Sequence, residues 1–200
     1  MIFRILFLFV FVSSTVFPQS AQEIILKVQK KFNSVIDLKS NIIRVDNNSE
    51  NLIGKFYYAK QDKYRIVFNY VTIVSNGKTV WQFNKKLNRV VITNANEEEN
   101  SFSLKKIIFD YPKKCKAKIV TENKSKNNYI IKFTPLNSSL SFKWVKLTVT
   151  KNYLINQFEM LDLNNNKTTI KFDNIKINSN INLNKFKFKI PTGAKVVDLR

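Results

Sequence analysis

The chain has 200 residues, of which 44% are hydrophobic, enough apolar material for one domain with a substantial core. It contains 34 Lys and Arg against 14 Asp and Glu, and it has no histidine. The lack of histidine excludes His-based acid–base chemistry, Ser-His and Cys-His nucleophile pairs and His metal sites. The sequence also has no P-loop, no GxSxG motif and no metal-ligand spacing. We therefore expect neither an enzyme nor a cofactor; carboxylate-only catalysis stays open in principle, but no pair of acids stands out.

The first twenty residues are predicted to be a secretory signal peptide. Arg4 supplies a short positive region, and an apolar run covers residues 5–12. This run is too short for a comfortable membrane-spanning helix, although a retained N-terminal anchor is the alternative. Cleavage after Ser20 and cleavage after Ala21 both stay open. We expect a periplasmic protein with a single domain at residues 21–200.

The formal net charge of +20 is typical of nucleic-acid-binding proteins. We discount that function because a signal peptide directs the chain away from nucleic acid and the basic residues are scattered through the chain. Lys, Asn and Ile are enriched together, as in AT-rich genomes. A basic secreted protein would still be attracted to anionic membrane surfaces and acidic partners. The only cysteine, Cys115, cannot form an intramolecular disulfide, and we expect a passive thiol and a monomeric protein.

An amphipathic helix is predicted at residues 21–34, with Asp37 to Ser40 ending it. After that, apolar residues alternate with polar ones almost to the C terminus. Strands are predicted at 41–45, 52–59, 63–68, 72–75, 79–83, 90–92, 116–121, 129–134, 142–150, 155–161, 167–177 and 186–190. Regular short strands separated by Asn-rich turns indicate one large antiparallel sheet, a barrel or a sandwich.

One apolar helix interrupts the predicted strands. Ser101 is expected to cap it and Pro112 to stop it. Its apolar residues include Phe102, Leu104, Ile107 and Ile108. Two interpretations stay open: a plug that completes the core, or a movable lid over a cavity. The two interpretations are compatible, because a helix that completes the core can also act as a lid if it can move away.

The stretch from Thr72 to Ile92, TIVSNGKTVWQFNKKLNRVVI, reads as three strands joined by two turns. Asn76-Gly77 predicts a two-residue hairpin turn, because both residues tolerate positive φ. The stretch resembles the SDGKTLW-Y-P segment of the LolA-type outer-membrane lipoprotein carriers. Three further segments are similar to that family in the same order: Gly54 to Ile66, Asp162 to Asn174 and Phe186 to Val197.

This resemblance implies a mainly β fold: an incomplete antiparallel β-barrel, or half-barrel, with an N-terminal helix and a short helical lid around a hydrophobic cavity. It implies a carrier that takes acylated lipoproteins from an inner-membrane ABC lipoprotein-release transporter. The carrier would deliver them to an outer-membrane receptor or to the outer membrane. A lipid anchor of roughly 45 methylenes costs on the order of 35 kcal/mol to expose to water, so unaided crossing is negligible. The alternative is a periplasmic sensor or interaction protein on a similar half-barrel that recognises lipidated envelope ligands.

Apolar faces of the predicted strands are expected to line the acyl-chain cavity. Their residues are Phe56, Tyr58, Tyr64, Ile66, Phe68, Trp81, Phe83, Phe133, Phe158, Met160, Phe186 and Phe188. Any one of these residues could instead pack in the core without contacting a ligand. The prediction of an acyl-chain cavity therefore concerns the surface that they form together. Many family members carry an arginine four residues before a strand aromatic, where it helps to latch the lid. Lys60 occupies that position relative to Tyr64, and it keeps the charge but lacks the planar fork of arginine.

Overall fold

The structure, a computed structural model, describes residues 20–47, 51–95, 103–123 and 128–200. The predicted signal peptide up to residue 19, Ser101 and Phe102 lie outside the described residues. Helix α1 spans Ala21–Ser34, as predicted. The Ser20 side chain caps it by accepting a hydrogen bond from the Glu23 N–H at 3.2 Å. Among the described helices, none has the length and apolar character needed to cross a bilayer.

Twelve strands in the described part of the chain form one sheet. Their bounds are β1 Asp37–Asp46, β2 Leu52–Ala59, β3 Lys63–Phe68, β4 Val71–Asn76, β5 Thr79–Asn84, β6 Arg89–Asn94, β7 Cys115–Asn123, β8 Asn128–Pro135, β9 Phe142–Thr150, β10 Ile155–Asp162, β11 Lys167–Ile177 and β12 Lys195–Asp198. The spatial order is β12-β6-β5-β4-β3-β2-β1-β11-β10-β9-β8-β7. Strands β12 and β7 are the two edges, so the sheet is open and the predicted incomplete barrel is confirmed. All neighbours are antiparallel except β12 and β6, which are parallel.

Two predictions about where elements begin and end were wrong. Residues 37–40 do not end the helix; they begin β1, where they pair with residues 56–59 of β2. The buried Asp37 carboxylate accepts hydrogen bonds from the Ser179 and Ile181 N–H groups. Residues 186–190 do not form a strand. A 3₁₀ helix, Leu183–Phe186, is followed by backbone outside any ladder, and the short β12 pairs with β6 instead.

The hairpin between β4 and β5 differs in detail from the predicted two-residue turn. Only Gly77 takes a positive φ, at 92°. Asn76 instead accepts hydrogen bonds through its side-chain oxygen from the Lys78 and Thr79 N–H groups, at 2.9 and 2.8 Å. A Cβ on Gly77 would lie 2.2 Å from the Gln61 carbonyl oxygen, so glycine is required by space as well as by φ.

A short helical segment covers one face of the sheet. We call it the covering helix: residues 103–114, comprising a π-helical turn at Lys106–Asp110 and helix α2 at Tyr111–Lys114. Ser103 begins it by accepting a hydrogen bond from the Lys106 N–H at 3.3 Å. The expectation that Pro112 stops the helix was wrong. Proline lies in the first turn of α2, and the Ile108 carbonyl, four residues earlier, accepts a hydrogen bond from the Gln29 Nε2 at 3.0 Å instead of from a residue-112 N–H.

The main core lies between the sheet and the two helical segments. We call this side of the sheet the inner face. Ile24, Ile25 and Val28 of α1 share one buried cluster with residues of β1–β3, β5 and β7–β11. The opposite, outer face is covered over β3–β6 by a C-terminal strap, residues 178–198, which includes the 3₁₀ helix and β12. Strand alternation therefore sends successive side chains into two separate apolar layers.

Candidate acyl-chain site on the inner face

Seven of the predicted cavity residues meet on the inner face. Strand register places Phe56 opposite Ile66 and Tyr58 opposite Tyr64, so these side chains share one side of the β2–β3 pair. All seven are at most 7% exposed and belong to the one buried cluster. They are Phe56, Tyr58, Tyr64, Ile66, Phe68, Phe133 and Phe158. Met160 packs against the same cluster and is half-buried. The inner face is thus a continuous aromatic and aliphatic surface.

The covering helix lies directly on this surface. Leu104, Ile107 and Ile108 are 9%, 4% and 5% exposed, and all three belong to the same cluster. Ring contacts extend the packing: Phe109 lies 5.9 Å from Phe32 of α1, and Tyr111 lies 4.9 Å from Phe142 of β9, measured between ring centroids. The helix therefore fills the centre of the inner face with its own side chains. A π-helical turn, which is common at functional sites, forms its middle.

Polar contacts also join the covering helix to other elements. The Gln29 Nε2 of α1 donates to the Ile108 carbonyl at 3.0 Å, and the Leu136 N–H donates to the Lys114 carbonyl at 3.0 Å. The Lys105 Nζ lies 4.0 Å from the Asp62 Oδ2 in the β2–β3 turn, and the Lys105 side chain is 64% exposed. Desolvation raises the pKa of Asp62; Lys105 opposes this rise and Asp110 adds to it. The covering helix is therefore held by buried apolar side chains together with polar contacts.

A cavity of about 510 Å³ opens beside the covering helix, where the helix meets β9, β10 and β11. Its lining is Arg44, Ser103, Ile107, Tyr111, Ser141, Phe142, Phe158, Met160, Asp162, Leu163, Asn164, Thr168 and Ile170. The apolar members continue the inner-face cluster, and the polar members lie around them. Three residues predicted from the sequence line it: Ile107 of the helix, with Phe158 and Met160 of β10.

Four of the predicted cavity residues lie elsewhere, on the outer face. Trp81 and Phe83 stack against Phe188 of the strap, with ring centroids 6.0 and 6.3 Å apart. Phe186 is 2% exposed but is not part of the inner cluster. The physical reason is the two-residue period of β5: Val80 faces inward, so Trp81 and Phe83 face outward. The prediction of one shared lining does not hold for these four residues.

Lys60, the candidate latch, is exposed at the end of β2. Its backbone N–H donates to the Ile36 carbonyl at 3.1 Å, and its side chain makes no hydrogen bond or ion pair within the described ranges. Lys105, on the covering helix itself, is the lysine that reaches the β2–β3 turn. Sequence reasoning missed Lys105, Asp62 and Gln29, because nothing in a single sequence shows how α1 and the covering helix cross the sheet.

The environment of Cys115 agrees with a passive thiol. The residue is 6% exposed at the start of β7, and burial raises the pKa of the thiol to about 11. Neighbouring lysines therefore do not activate it, and it stays protonated at neutral pH. Burial likewise raises the pKa of Tyr111 to about 12, so the cavity holds a neutral phenol. Among the described residues, no group of three or more His, Cys, Asp or Glu is placed to hold a metal ion.

An open sheet with an apolar inner face beneath two helical segments is an architecture suited to sheltering hydrophobic ligands. Residues 42–189 match the model of the family described as "Outer membrane lipoprotein carrier protein LolA", and the chain belongs to this family. The outer-membrane lipoprotein carrier protein of Francisella tularensis is 25% identical over 201 residues, covering 97% of this chain and 95% of the relative. Family membership indicates lipoprotein binding rather than catalysis.

Solved structures agree on the fold. An uncharacterised conserved protein from Thermus thermophilus superposes with a TM-score of 0.60 at 17% identity, covering 89% of this chain and 98% of that one. The Mycobacterium tuberculosis lipoprotein LppX gives a TM-score of 0.50 at 7% identity, covering 82% of this chain and 97% of that one. At such identities the likeness concerns the architecture alone.

Proposed function

We propose that residues 21–200, after removal of the predicted signal peptide, carry acylated lipoproteins across the periplasm. The chain takes them from an inner-membrane ABC lipoprotein-release transporter and delivers them to an outer-membrane receptor or to the outer membrane. Lipoprotein acyl chains occupy the inner face, and the covering helix is the lid. The observation that carries this proposal is a wide apolar surface on which the covering helix packs through its buried residues Leu104, Ile107 and Ile108.

The volume of the cavity beside the covering helix supports a lid that moves. At roughly 30 Å³ per methylene, taken as similar to a water-sized group, the 510 Å³ cavity holds about 17 methylenes. A complete lipid anchor has roughly 45 methylenes. The cavity therefore admits about one chain, and the remaining chains need the space that Leu104, Ile107 and Ile108 fill. Displacing the covering helix exposes that part of the inner face.

The energy balance favours lid opening by a lipid anchor. Three buried aliphatic side chains contribute about 5–9 kcal/mol to closure, at roughly 1.5–3 kcal/mol each. Sheltering the whole anchor recovers on the order of 35 kcal/mol. An anchor in water would therefore displace the lid, whereas an anchor in a membrane is already sheltered, so the release transporter must supply the energy that opens the lid during uptake. The closing lid returns only part of the energy needed for release. An acceptor membrane must supply the rest, so delivery depends on transfer to another apolar environment.

The test is soluble complex formation with membranes that hold a labelled outer-membrane lipoprotein and its release transporter. Met160→Glu places a charge on the inner lining at a half-buried position near the cavity mouth, where the fold tolerates it. Leu161→Glu is the matched control, because Leu161 is the next residue of β10, is also half-buried and faces outward opposite Trp144 and Lys167. We expect extraction by the wild type and by Leu161→Glu, and loss of extraction with Met160→Glu.

Equal extraction of the lipoprotein by both variants would show that the acyl chains do not bind on the inner face. Retention of the lipoprotein in the membrane at every protein concentration would overturn the carrier function and favour the sensor alternative. Ile66→Glu is a harsher variant, because Ile66 is 5% exposed; its folding is checked first by circular dichroism.

We further propose that Lys105 and Asp62 provide the latch expected of Lys60. Their 4.0 Å ion pair joins the lid to the β2–β3 turn, but the lysine is largely exposed, which limits the pair to about 1 kcal/mol or less. Lys105→Met should therefore change the rate of release a few-fold and leave uptake nearly unchanged. Lys60→Leu is the comparison variant. If it changes the rate of release more than Lys105→Met does, Lys60 is the latch residue.

A further inference from the structure

A second pocket lies on the side of the sheet opposite the lid, where β1 meets β2 and β11. Its volume is about 450 Å³, and it is lined by Lys39, Ser40, Asn41, Lys55, Tyr57, Asn174 and Lys176. Every lining residue carries a polar group, in contrast to the inner face. The ladder between β1 and β11 is irregular between Lys39 and Asn41, and Asn174 takes a positive φ of 52° there. The pocket lies beside this irregularity.

The charges around this pocket are mostly positive. Three lysines line it, and a fourth, Lys185 of the strap, lies with its Nζ 4.5 Å from the centroid of the Tyr57 ring. Asp173 is the neighbouring carboxylate, opposite Asn41 in the ladder, but it is not part of the lining. In the described part of the chain none of these four lysines forms an ion pair. Three of these lysines are exposed, so solvent screens their repulsion, and an anion bound among them would reduce it further.

The neutral groups of the pocket offer donors. Asn41 Oδ1 already accepts a hydrogen bond from the Lys55 Nζ at 2.6 Å, which leaves the Asn41 NH₂ group to donate. Tyr57 adds a phenolic hydroxyl to the lining. Two neutral donor groups therefore lie among the lysines.

We propose that this pocket binds a phosphate group. Phosphate offers several strong acceptor oxygens and a negative charge, which match a set of ammonium, amide and hydroxyl donors. The group can belong to a free phosphate compound or to the headgroup of an anionic phospholipid. The site does not depend on the carrier function, because it lies on the other face of the sheet and contacts neither the lid nor the cavity beside it.

The binding experiment has two arms, each at constant ionic strength with chloride as the balancing anion. Inorganic phosphate is titrated into the purified protein and followed by amide chemical shifts. Vesicles of phosphatidylglycerol and phosphatidylcholine are compared with pure phosphatidylcholine by co-sedimentation. Saturable binding in the first arm identifies a free phosphate ligand, and binding in the second arm alone identifies a lipid headgroup. Either result supports the site, and binding in neither arm overturns it.

Matched variants separate a built site from general attraction to a basic protein. Lys39→Gln/Lys176→Gln removes two charges from the pocket, and Lys116→Gln/Lys118→Gln removes two exposed charges from edge strand β7. We expect about tenfold weaker binding for the pocket variant and less than about twofold for the control. Equal losses would overturn the proposal. Tyr57→Phe should weaken phosphate binding a few-fold and leave the free energy of unfolding unchanged, because phenylalanine keeps the ring beneath Lys185 and removes only the hydroxyl; unchanged binding would also count against the proposal.

Discussion

The two faces of the sheet use aromatic side chains in different ways. On the inner face, Phe56 and Phe133 lie in one wide cluster that two helical segments cover through apolar contact. On the outer face, Trp81 and Phe188 pack under a strap that is tied by hydrogen bonds and by the parallel β12–β6 ladder. Arg65, for example, donates to the Lys185 carbonyl at 3.0 Å. The inner cover is held mainly by buried apolar side chains, whereas the outer cover is also fixed to the sheet through its backbone.

The way in which each cover is held determines how readily a ligand can replace it. A cover held by packing alone can exchange with a ligand that offers similar apolar contact. A cover with backbone hydrogen bonds must break them, and each buried group left unsatisfied costs about 1–3 kcal/mol. Substitutions on the two faces should therefore give different combinations of stability and lipoprotein extraction.

The largest stability loss is expected for Phe133→Ala. Phe133 is fully buried in the centre of the inner cluster, and truncation leaves a cavity that costs about 3–5 kcal/mol. Urea denaturation measures the free energy of unfolding. Because the lid packs on the same cluster, extraction of lipoprotein should also fall at temperatures where the variant remains folded. A loss under about 1 kcal/mol would mean that the inner face is loosely packed even when closed.

Gly77→Ala tests the hairpin that supports the outer face. Its new Cβ would lie 2.2 Å from the Gln61 carbonyl oxygen at a φ of 92°, so we expect a loss of about 2–3 kcal/mol. Gly193→Ala is the control, because its φ is 72° but the nearest atom lies 3.9 Å away. That variant should lose only about 1 kcal/mol. Similar thermal midpoints for both variants would contradict the steric explanation.

Asp37→Asn tests the attachment of the strap to β1. Burial alone raises the pKa of Asp37, but hydrogen bonds from Ser179, Ile181 and Asn180 hold it below its ordinary value. A lowered folded-state pKa stabilises the fold above the unfolded-state pKa of about 3.9, and this contribution is lost as the pH falls through the folded-state value. We expect the variant to lose about 2 kcal/mol at pH 7.

The pH dependence supplies the control for this substitution. The difference in unfolding free energy between the wild type and Asp37→Asn should shrink as the pH falls below about 4, since the wild-type carboxyl is then protonated. A difference that stays constant from pH 7 to pH 3 would show that the charge of Asp37 is unimportant. Extraction of lipoprotein at neutral pH should remain unchanged, because the strap lies on the outer face.

Phe188→Ala is expected to have the smallest effect. Phe188 is half-exposed and touches Trp81 and Phe83 on the outer face, so its loss should cost about 1 kcal/mol. Lipoprotein extraction should equal that of the wild type. A stable variant that fails in extraction would move the acyl-chain surface to the outer face and reverse the comparison on which the proposed function rests.

Local patterns predicted much of the fold. The bounds of α1, β2, β3, β9 and β11 agree with the structure, because helical spacing and two-residue alternation depend only on neighbouring side chains. The C-terminal segment was misread for a related reason. Its alternation from Phe186 to Ile190 looks like a strand, but strand identity requires a partner ladder, and that segment lies across the outer face instead.

The sequence predicted which kinds of residue line the site, but not which of them share one surface. Alternation shows that Trp81 and Phe83 share one face of β5, but it does not show whether that face is the same as the face carrying Tyr64 and Ile66. Register settled this point by placing Ser75 opposite both Tyr64 and Val80, so Val80 shares the inner face and Trp81 does not. The contact between Lys105 and Asp62 depends likewise on where a helix crosses the sheet.

The amino-acid sequence by itself determined the class of fold, the helix before the sheet, the helical interruption and the wealth of aromatic side chains. These follow from short-range periodicity and from family motifs that occur in order. The tertiary structure decided which aromatic residues share a surface, what covers each face and where lysines converge around the second pocket. The physical reason is that such contacts join residues far apart in the chain, and only strand register and helix crossing bring them together.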